Sequence, residues 1–226
     1  QKMLLPFKEN AVRLETENWS YALEDFLIRK GKKRSCNWTF FRPSLALGCG
    51  IQAPNNLVLA IAIYASLCRE LGAKFIFPST QKAYHAIREM SSTQQMANVA
   101  IETAISTENK VYNATNADPF SWAEMWPLLG GFFGLKTQVK SSFCVQDFFE
   151  KNETVWQDMT QKYALQTISI KTLLANTDIL DKATLGSYHT VFSMAKSQKA
   201  GFKLQADTFK LFVDNFQALK QARIIP

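Results

Sequence analysis

From Gln1 to Glu15 charged and apolar residues follow one another without a sustained period, which predicts an irregular lead-in. A helical run of about Trp19 to Lys30 follows, with Asn18 where an asparagine side chain caps a first turn. The basic run RKGKKR, Arg29 to Arg34, closes this helix, since cations complement its C-terminal dipole, and Gly31 is the expected stop. NWTFFRPSLALG, Asn37 to Gly48, is rich in β-branched and aromatic residues and almost free of charge inside, the pattern of a strand covered on both faces. It ends in the Gly/Pro/Asn loop GCGIQAPNN, and such strand-to-loop transitions are where α/β proteins place ligands.

Leu57 to Leu71 reads as a buried helix, AKFIFP as a short strand, and Gln81 to Met90 as a helix carrying Tyr84 and His85. STQQMANVAIETAIS has a Ser/Thr start and apolar residues at Met96, Val99, Ala100 and Ile105, an amphipathic helix. KVYNATNAD returns to strand character. In FSWAEMWPLLGGFFGL, Ser121 stands three residues before Glu124, a capping-box spacing, and glycines close the helix. Trp122 and Trp126 share one face of it and read as packing residues. From Lys136 onward the pattern is mostly helical: Val145 to Tyr163, a less regular stretch to Thr190, Val191 to Lys199, and Ala206 to Arg223. Strands alternating with helices predict an α/β protein with a largely parallel sheet, followed by a mostly helical C-terminal lobe.

With 226 residues, 47% apolar and 20% charged, the chain is long enough for one substantial core. Its longest apolar segment, LVLAIAIYASL, is followed at once by Cys68, Arg69 and Glu70, too short for a membrane span. The N-terminal stretch lacks the h-region and cleavage site of a signal peptide, so a cytoplasmic protein is expected, without membrane attachment. The net charge of +7 brings no nucleic-acid motif or interleaved aromatics with it, and no nucleic-acid partner is expected. Cys36, Cys49, Cys68 and Cys144 have no metal or redox spacing and read as free thiols. The N-x-S/T matches at Asn18, Asn37, Asn113 and Asn152 are taken as chance, because two of them fall in packed helix or strand. No P-loop, G-x-S-x-G elbow, HExxH or GxGxxG turn is present, and GCG at Gly48 to Gly50 is only a weak match to the last. His85 and His189, the only histidines, read as ordinary polar residues, and no metal is expected.

The segments NWSYALEDFL, TFFRPSLALG, NNLVLAIAIYASLCRELGAKFIFPST, NATNADPFSWAEMWPLLGGFFGL, SMAKSQKAGF and KQARIIP, in that order and spacing, resemble the progesterone 5β-reductase and iridoid synthase family, with a fungal flavour. This is an atypical branch of the extended short-chain dehydrogenases, and the resemblance runs from about Pro6 to Pro226. It implies an incomplete Rossmann-like parallel sheet, with residues 1–60 as the last part of a dinucleotide-binding domain. Residues 61–226 would form a mixed α/β and helical substrate-binding portion, with strands near 73–78 and 110–116. It further implies NADPH-dependent reduction of an activated alkene, with Tyr21 stabilising the developing enolate oxygen. Asp25 stands where other short-chain dehydrogenases have a lysine, but in this branch the lysine comes from an earlier strand. Pro43, Ser44 and Ala46 would meet the nicotinamide, and Leu45, Asn55 and Tyr188 would face substrate. Two residues depart from the pattern: Ser20 replaces a common aromatic and Leu45 an often polar residue. By the resemblance, the glycine-rich turn, the 2′-phosphate site and the lysine belong to roughly the first two-fifths of a typical member, ahead of Gln1.

Three functions are open to such a chain. The first is a reductase of enone, terpenoid or polyketide-like small molecules whose partner is the N-terminal half, or a second copy of the chain. The second is a redox-dead cyclase or isomerase using an apolar pocket and the Tyr21 donor. The third is a ligand-binding protein without chemistry. A phenol is suited to the first two, because its hydroxyl can hydrogen-bond an oxygen that gains negative charge.

Overall fold

The computed structural model describes residues 4–13, 15, 17–104, 109–166 and 169–226. The first half contains α1 (Trp19–Arg34), β1 (Thr39–Pro43), β2 (Leu45–Leu47), α2 (Leu57–Glu70), β3 (Phe75–Phe77), α3 (Gln81–Tyr84), β4 (Ile87–Arg88) and β5 (Met90–Ser92). Then come α4 (Thr93–Thr103), β6 (Lys110–Ala114), β7 (Phe120–Ser121), α5 (Trp122–Phe133) and β8 (Thr137–Val139). The C-terminal portion is α6 (Val145–Lys151), α7 (Glu153–Lys162), α8 (Ile170–Leu173), α9 (Ile179–Thr184), α10 (Ala195–Lys199) and α11 (Thr208–Gln221). Strands pair as β1 with β6, β2 with β5 and β3 with β8, all parallel, and β4 with β7 antiparallel.

The core is built around α2. Leu57 to Cys68 is buried on every side, as expected of a helix apolar all round. Asn56 caps it, its Oδ1 accepting from the Leu59 amide at 3.0 Å. Trp126 of α5 stacks on Phe75 with ring centroids 4.1 Å apart and donates its indole N–H to the Phe75 carbonyl at 3.1 Å. The capping box at the start of α5 forms as the Ser121/Glu124 spacing predicts.

The expected single strand over Asn37 to Gly48 is broken at Ser44 and only partly covered. Pro43 has no N–H to continue the ladder, and Ser44 turns to side-chain partners instead. The chain therefore straddles two neighbours, β6 before Ser44 and β5 after it. The helix expected over Gln81 to Met90 ends at Tyr84, since the pairings of Ile87–Arg88 with β7 and of Met90–Ser92 with β2 prevail over local propensity. Strand β8, which the mostly helical reading after Lys136 did not include, is recruited by β3. Asn152 interrupts the expected Val145 to Tyr163 helix, and the Val191 to Lys199 run is helical only from Ala195. Ile105, assigned to the amphipathic helix, lies outside the described residues.

Helix α1 also runs past its expected stop, ending at Ser35, a residue with φ 52°. Gly31 lies inside it, and a Cβ there would sit 2.7 Å from Trp38 Cδ1 and 3.0 Å from the Cys36 carbonyl oxygen. The glycine lets the chain double back closely between α1 and β1. Gly31→Ala should therefore lower stability by about 1–3 kcal/mol through overpacking, despite alanine's better helix propensity. Thermal unfolding checks this, and an unchanged or raised Tm would remove the close-approach explanation.

Candidate active site

A cavity of about 740 Å³ opens between the start of α1, the β1–β2 segment, the loop before α2 and the lead-in. Tyr21, Pro43, Ser44, Leu45, Ala46 and Asn55, six of the residues singled out in the sequence, all line it. Tyr188 does not: it is 66% exposed and its ring lies beside the Arg88 guanidinium, 5.5 Å from centroid to Cζ.

Tyr21 is held by the first turn of α1. The Asn18 side chain accepts from the Ser20 amide at 2.9 Å and the Asn18 carbonyl from the Tyr21 amide at 3.0 Å. Capping fixes where the helix begins, and so where the phenol leaves it. The Arg13 guanidinium lies over the Tyr21 ring, 4.9 Å from its centroid. Asp25 is engaged by Arg13, at 2.8 Å.

Glu24 organises the wall behind Tyr21. It is 3% exposed and accepts from Arg42 Nε at 2.6 Å, Arg42 Nη2 at 2.9 Å and Arg13 Nη2 at 2.7 Å. Burial pushes its carboxyl up, but the hydrogen bonds from Arg42 and Arg13 outweigh that and hold it below the usual glutamate value. Arg42 also donates to the Glu9 carbonyl at 3.1 Å, while Glu9 Oε1 accepts from the Asn113 amide at 2.9 Å. Lead-in, helix and strand are thus tied through one charged network.

The floor is stitched by hydroxyls. Ser91 Oγ accepts from the Ser44 amide at 2.9 Å and donates to the Ala114 carbonyl at 2.6 Å, and Ser44 Oγ donates to the Glu89 carbonyl at 2.6 Å. The Glu89 side chain is buried; burial raises its pKa despite hydrogen bonds from Thr115 and the Phe192 amide. Phe192 forms part of the cavity wall with Phe7, ring centroids 5.5 Å apart. At the rim Asn55 has φ 57°, a conformation asparagine tolerates better than most residues.

Other features have structural explanations. A Cβ on Gly48 would meet Thr93 Oγ1 at 2.6 Å, so the first glycine of GCG serves packing against α4. Asn113 is buried, and its amide nitrogen donates to the Phe7 and Ser193 carbonyls, which fits the reading of its N-x-T match as chance. His189 Nδ1 accepts from the Ile87 amide at 3.0 Å. Cys68 is buried in the core, which pushes its thiol up to about 12. Among the described residues no helix is long and apolar enough to cross a membrane. Sequence reasoning missed Arg13, Glu24, Arg42, Phe7 and Phe192; their spacing carries no local signal, because the network joins positions far apart in sequence.

The parallel strand pairs, the helices between them and the cavity along β1 and the loop before α2 fit a Rossmann-type α/β domain. The whole chain, residues 1–226, matches the PRISE-like Rossmann-fold domain, and the protein belongs to that family. It is 26% identical over 226 residues to the 3-oxo-Delta(4,5)-steroid 5-beta-reductase of Arabidopsis thaliana, covering 95% of this chain and 57% of that protein. It is 25% identical over 227 residues to the (S)-8-oxocitronellyl enol synthase of Antirrhinum majus, covering 98% and 58%. A short-chain dehydrogenase of Penicillium aethiopicum is 26% identical over 240 residues, covering 98% and 64%. The chain thus spans less than two thirds of the length of these curated relatives. Among solved structures, RMD from Pseudomonas aeruginosa, complexed with NADPH, shares the fold with TM-score 0.61 and 12% identity, covering 95% of this chain and 60% of that one. The UDP-glucose 4-epimerase of Thermotoga maritima does so with TM-score 0.63 and 10% identity, covering 98% and 59%.

Proposed function

We propose that this chain carries the substrate side of an NADPH-dependent reductase of activated alkenes, with Tyr21 as the group that stabilises the enolate oxygen. The observation that supports it most is the convergence of Tyr21 and the Pro43–Ala46 segment on one cavity walled by Phe7, Trp19, Phe40, Phe41 and Phe192. Relatives named 3-oxo-Delta(4,5)-steroid 5-beta-reductase and (S)-8-oxocitronellyl enol synthase support an enone or enal as the substrate class.

The residues present suit the nicotinamide end of the cofactor: a backbone segment tied down at Ser44 by hydroxyl hydrogen bonds, sharing a largely apolar cleft with a tyrosine. Pro43, Ser44 and Ala46 would hold that end. NADPH, when bound, supplies the hydride that adds to the β-carbon of the alkene. The Tyr21 hydroxyl would donate a hydrogen bond to the carbonyl oxygen as it gains charge, and the enolate would then take a proton from water at its α-carbon to give the saturated carbonyl product. Leu45 and Asn55 border the space left for substrate.

The test is to incubate the full-length protein, including any residues that precede Gln1 in it, with NADPH and a 3-oxo-Δ4 steroid or cyclohexenone, following NADPH absorbance and product mass. Consumption of NADPH matched by a saturated ketone supports the reading. A cyclised or isomerised product formed without NADPH consumption replaces it with the non-redox alternative, and absence of any product with either probe counts against both.

A further inference from the structure

The lead-in forms one side of the cavity, and at Phe7 it is fastened to the C-terminal half through main-chain atoms. The Phe7 amide donates to the Val191 carbonyl at 2.8 Å and the Phe7 carbonyl accepts from the Ser193 amide at 2.9 Å, a one-residue parallel bridge opposite Phe192. The buried Asn113 side chain clamps both sides of that bridge, donating to the Phe7 carbonyl at 2.9 Å and to the Ser193 carbonyl at 3.0 Å. The Phe192 amide donates to the buried Glu89 carboxylate. With both backbones held in this way, the two rings are half-buried in the cavity lining, edge to face, with centroids 5.5 Å apart and planes at 79°. Main chain and polar side chains hold this wall; aromatic carbon faces the cavity.

We propose that Phe7 and Phe192 are the specificity-determining pair of this cavity: their rings contact the apolar body of the substrate beyond its reacting unit, so that a ligand of several fused rings is preferred over a single-ring one. For the reacting end this rests on the reading given under the proposed function, but the pair stands on elements other than those that carry Tyr21 and the Pro43–Ala46 segment. Three observations support it. A cavity of about 740 Å³ falls within the roughly 300–1,000 Å³ of pockets that enclose drug-sized molecules, which leaves room for more than one ring. Next, Ala11 and Val12 continue the wall with apolar side chains, and Val12 is 78% exposed, surface that a hydrocarbon body reaching the mouth would take out of water. Finally, rings on a clamped backbone lose little freedom when a ligand arrives, so the apolar area they cover is expressed in affinity.

Two measurements on the full-length protein decide the inference. Because the bridge is made by backbone atoms, trimming a ring leaves it in place, and the change reports on the ring. In calorimetric titration with a 3-oxo-Δ4 steroid, with NADP+ present so that no turnover occurs, Phe192→Ala should weaken steroid binding about 10–100-fold. Phe192→Leu should recover part of that loss. Unchanged steroid affinity in Phe192→Ala, or no steroid binding to the parent protein, would overturn the inference whatever the chemistry proves to be. In the turnover assay with NADPH, Phe192→Ala should lower kcat/KM for the steroid by a similar factor and change that for cyclohexenone little, because a single ring reacts without reaching the wall. Equal losses for the two substrates would reassign the pair to a structural role. If neither substrate is reduced, it is the proposed reaction that fails, and the titration still judges the pair. Should Phe192→Ala not fold, Phe192→Leu and Phe7→Leu take its place in both measurements.

Discussion

Tyr21→Phe should lower kcat about 10²–10³-fold, the loss typical of removing one donor from an oxyanion-stabilising site. The substitution deletes one oxygen and keeps the ring that Arg13 covers, so the shape of the cavity wall should change little. KM for the enone should stay close to that of the parent, because the hydroxyl contributes most where the oxygen has gained charge rather than in the ground state. Steady-state kinetics with NADPH and a 3-oxo-Δ4 steroid check this. Unchanged kcat would take Tyr21 out of the chemistry.

Glu24→Gln should be the most damaging single change in the charged network. It removes a buried carboxylate that answers two guanidinium groups and leaves Arg13 and Arg42 facing a neutral amide. Breaking a wholly buried pair from one side costs about 3–5 kcal/mol. Here the Arg13 and Arg42 side chains are 37% and 26% exposed, so water compensates in part and the expected loss is about 2 kcal/mol. For a chain of this length that is a fall of about 4–8 °C in Tm.

The pH dependence has a definite sign. The native Glu24 carboxyl has a depressed pKa, so its stabilisation is complete above the unfolded-state value of about 4.3 and disappears as pH falls through the lower folded-state value. Below that window parent and Glu24→Gln should converge in stability, and above it they should differ by the full amount. Parallel stability curves down to strongly acidic pH would show that Glu24 is not the group responsible.

Much of the fold could be read locally. The all-apolar α2, the Ser121/Glu124 capping box and the Asn18 cap each depend on residues within about a turn of one another, and each forms as its pattern implies. Segments whose state depends on a distant partner were not legible locally. Residues 87–92, read as helix up to Met90, become strands because β7 and β2 are there to receive them, and residues 137–139, given no element of their own, pair with β3; nothing within these short runs announces the partner. Gly31 illustrates the same limit: a glycine near a basic helix end is usually a stop, but the return of Trp38 against it gives it another use.

The candidate site divides along the same line. Residue order alone was enough to bring forward Tyr21 and the Pro43–Ala46 segment with Leu45 and Asn55, since the family pattern is carried by contiguous motifs. Tyr188 was selected on the same grounds, and its position beside Arg88 depended on how the segment around Gly186 packs, which one sequence does not encode locally. The sequence by itself determined the helix caps, the buried central helix, the family and the presence of a tyrosine at the head of α1. Only the tertiary structure decided that Arg13 covers that tyrosine, that Glu24 joins it to Arg42, and that Phe7 and Phe192 meet to close the wall. The reason is physical: caps and periodicity arise from hydrogen bonds and burial along one element, whereas ion-pair networks and cavity walls arise from side chains that the folded chain alone brings within a few ångströms of each other.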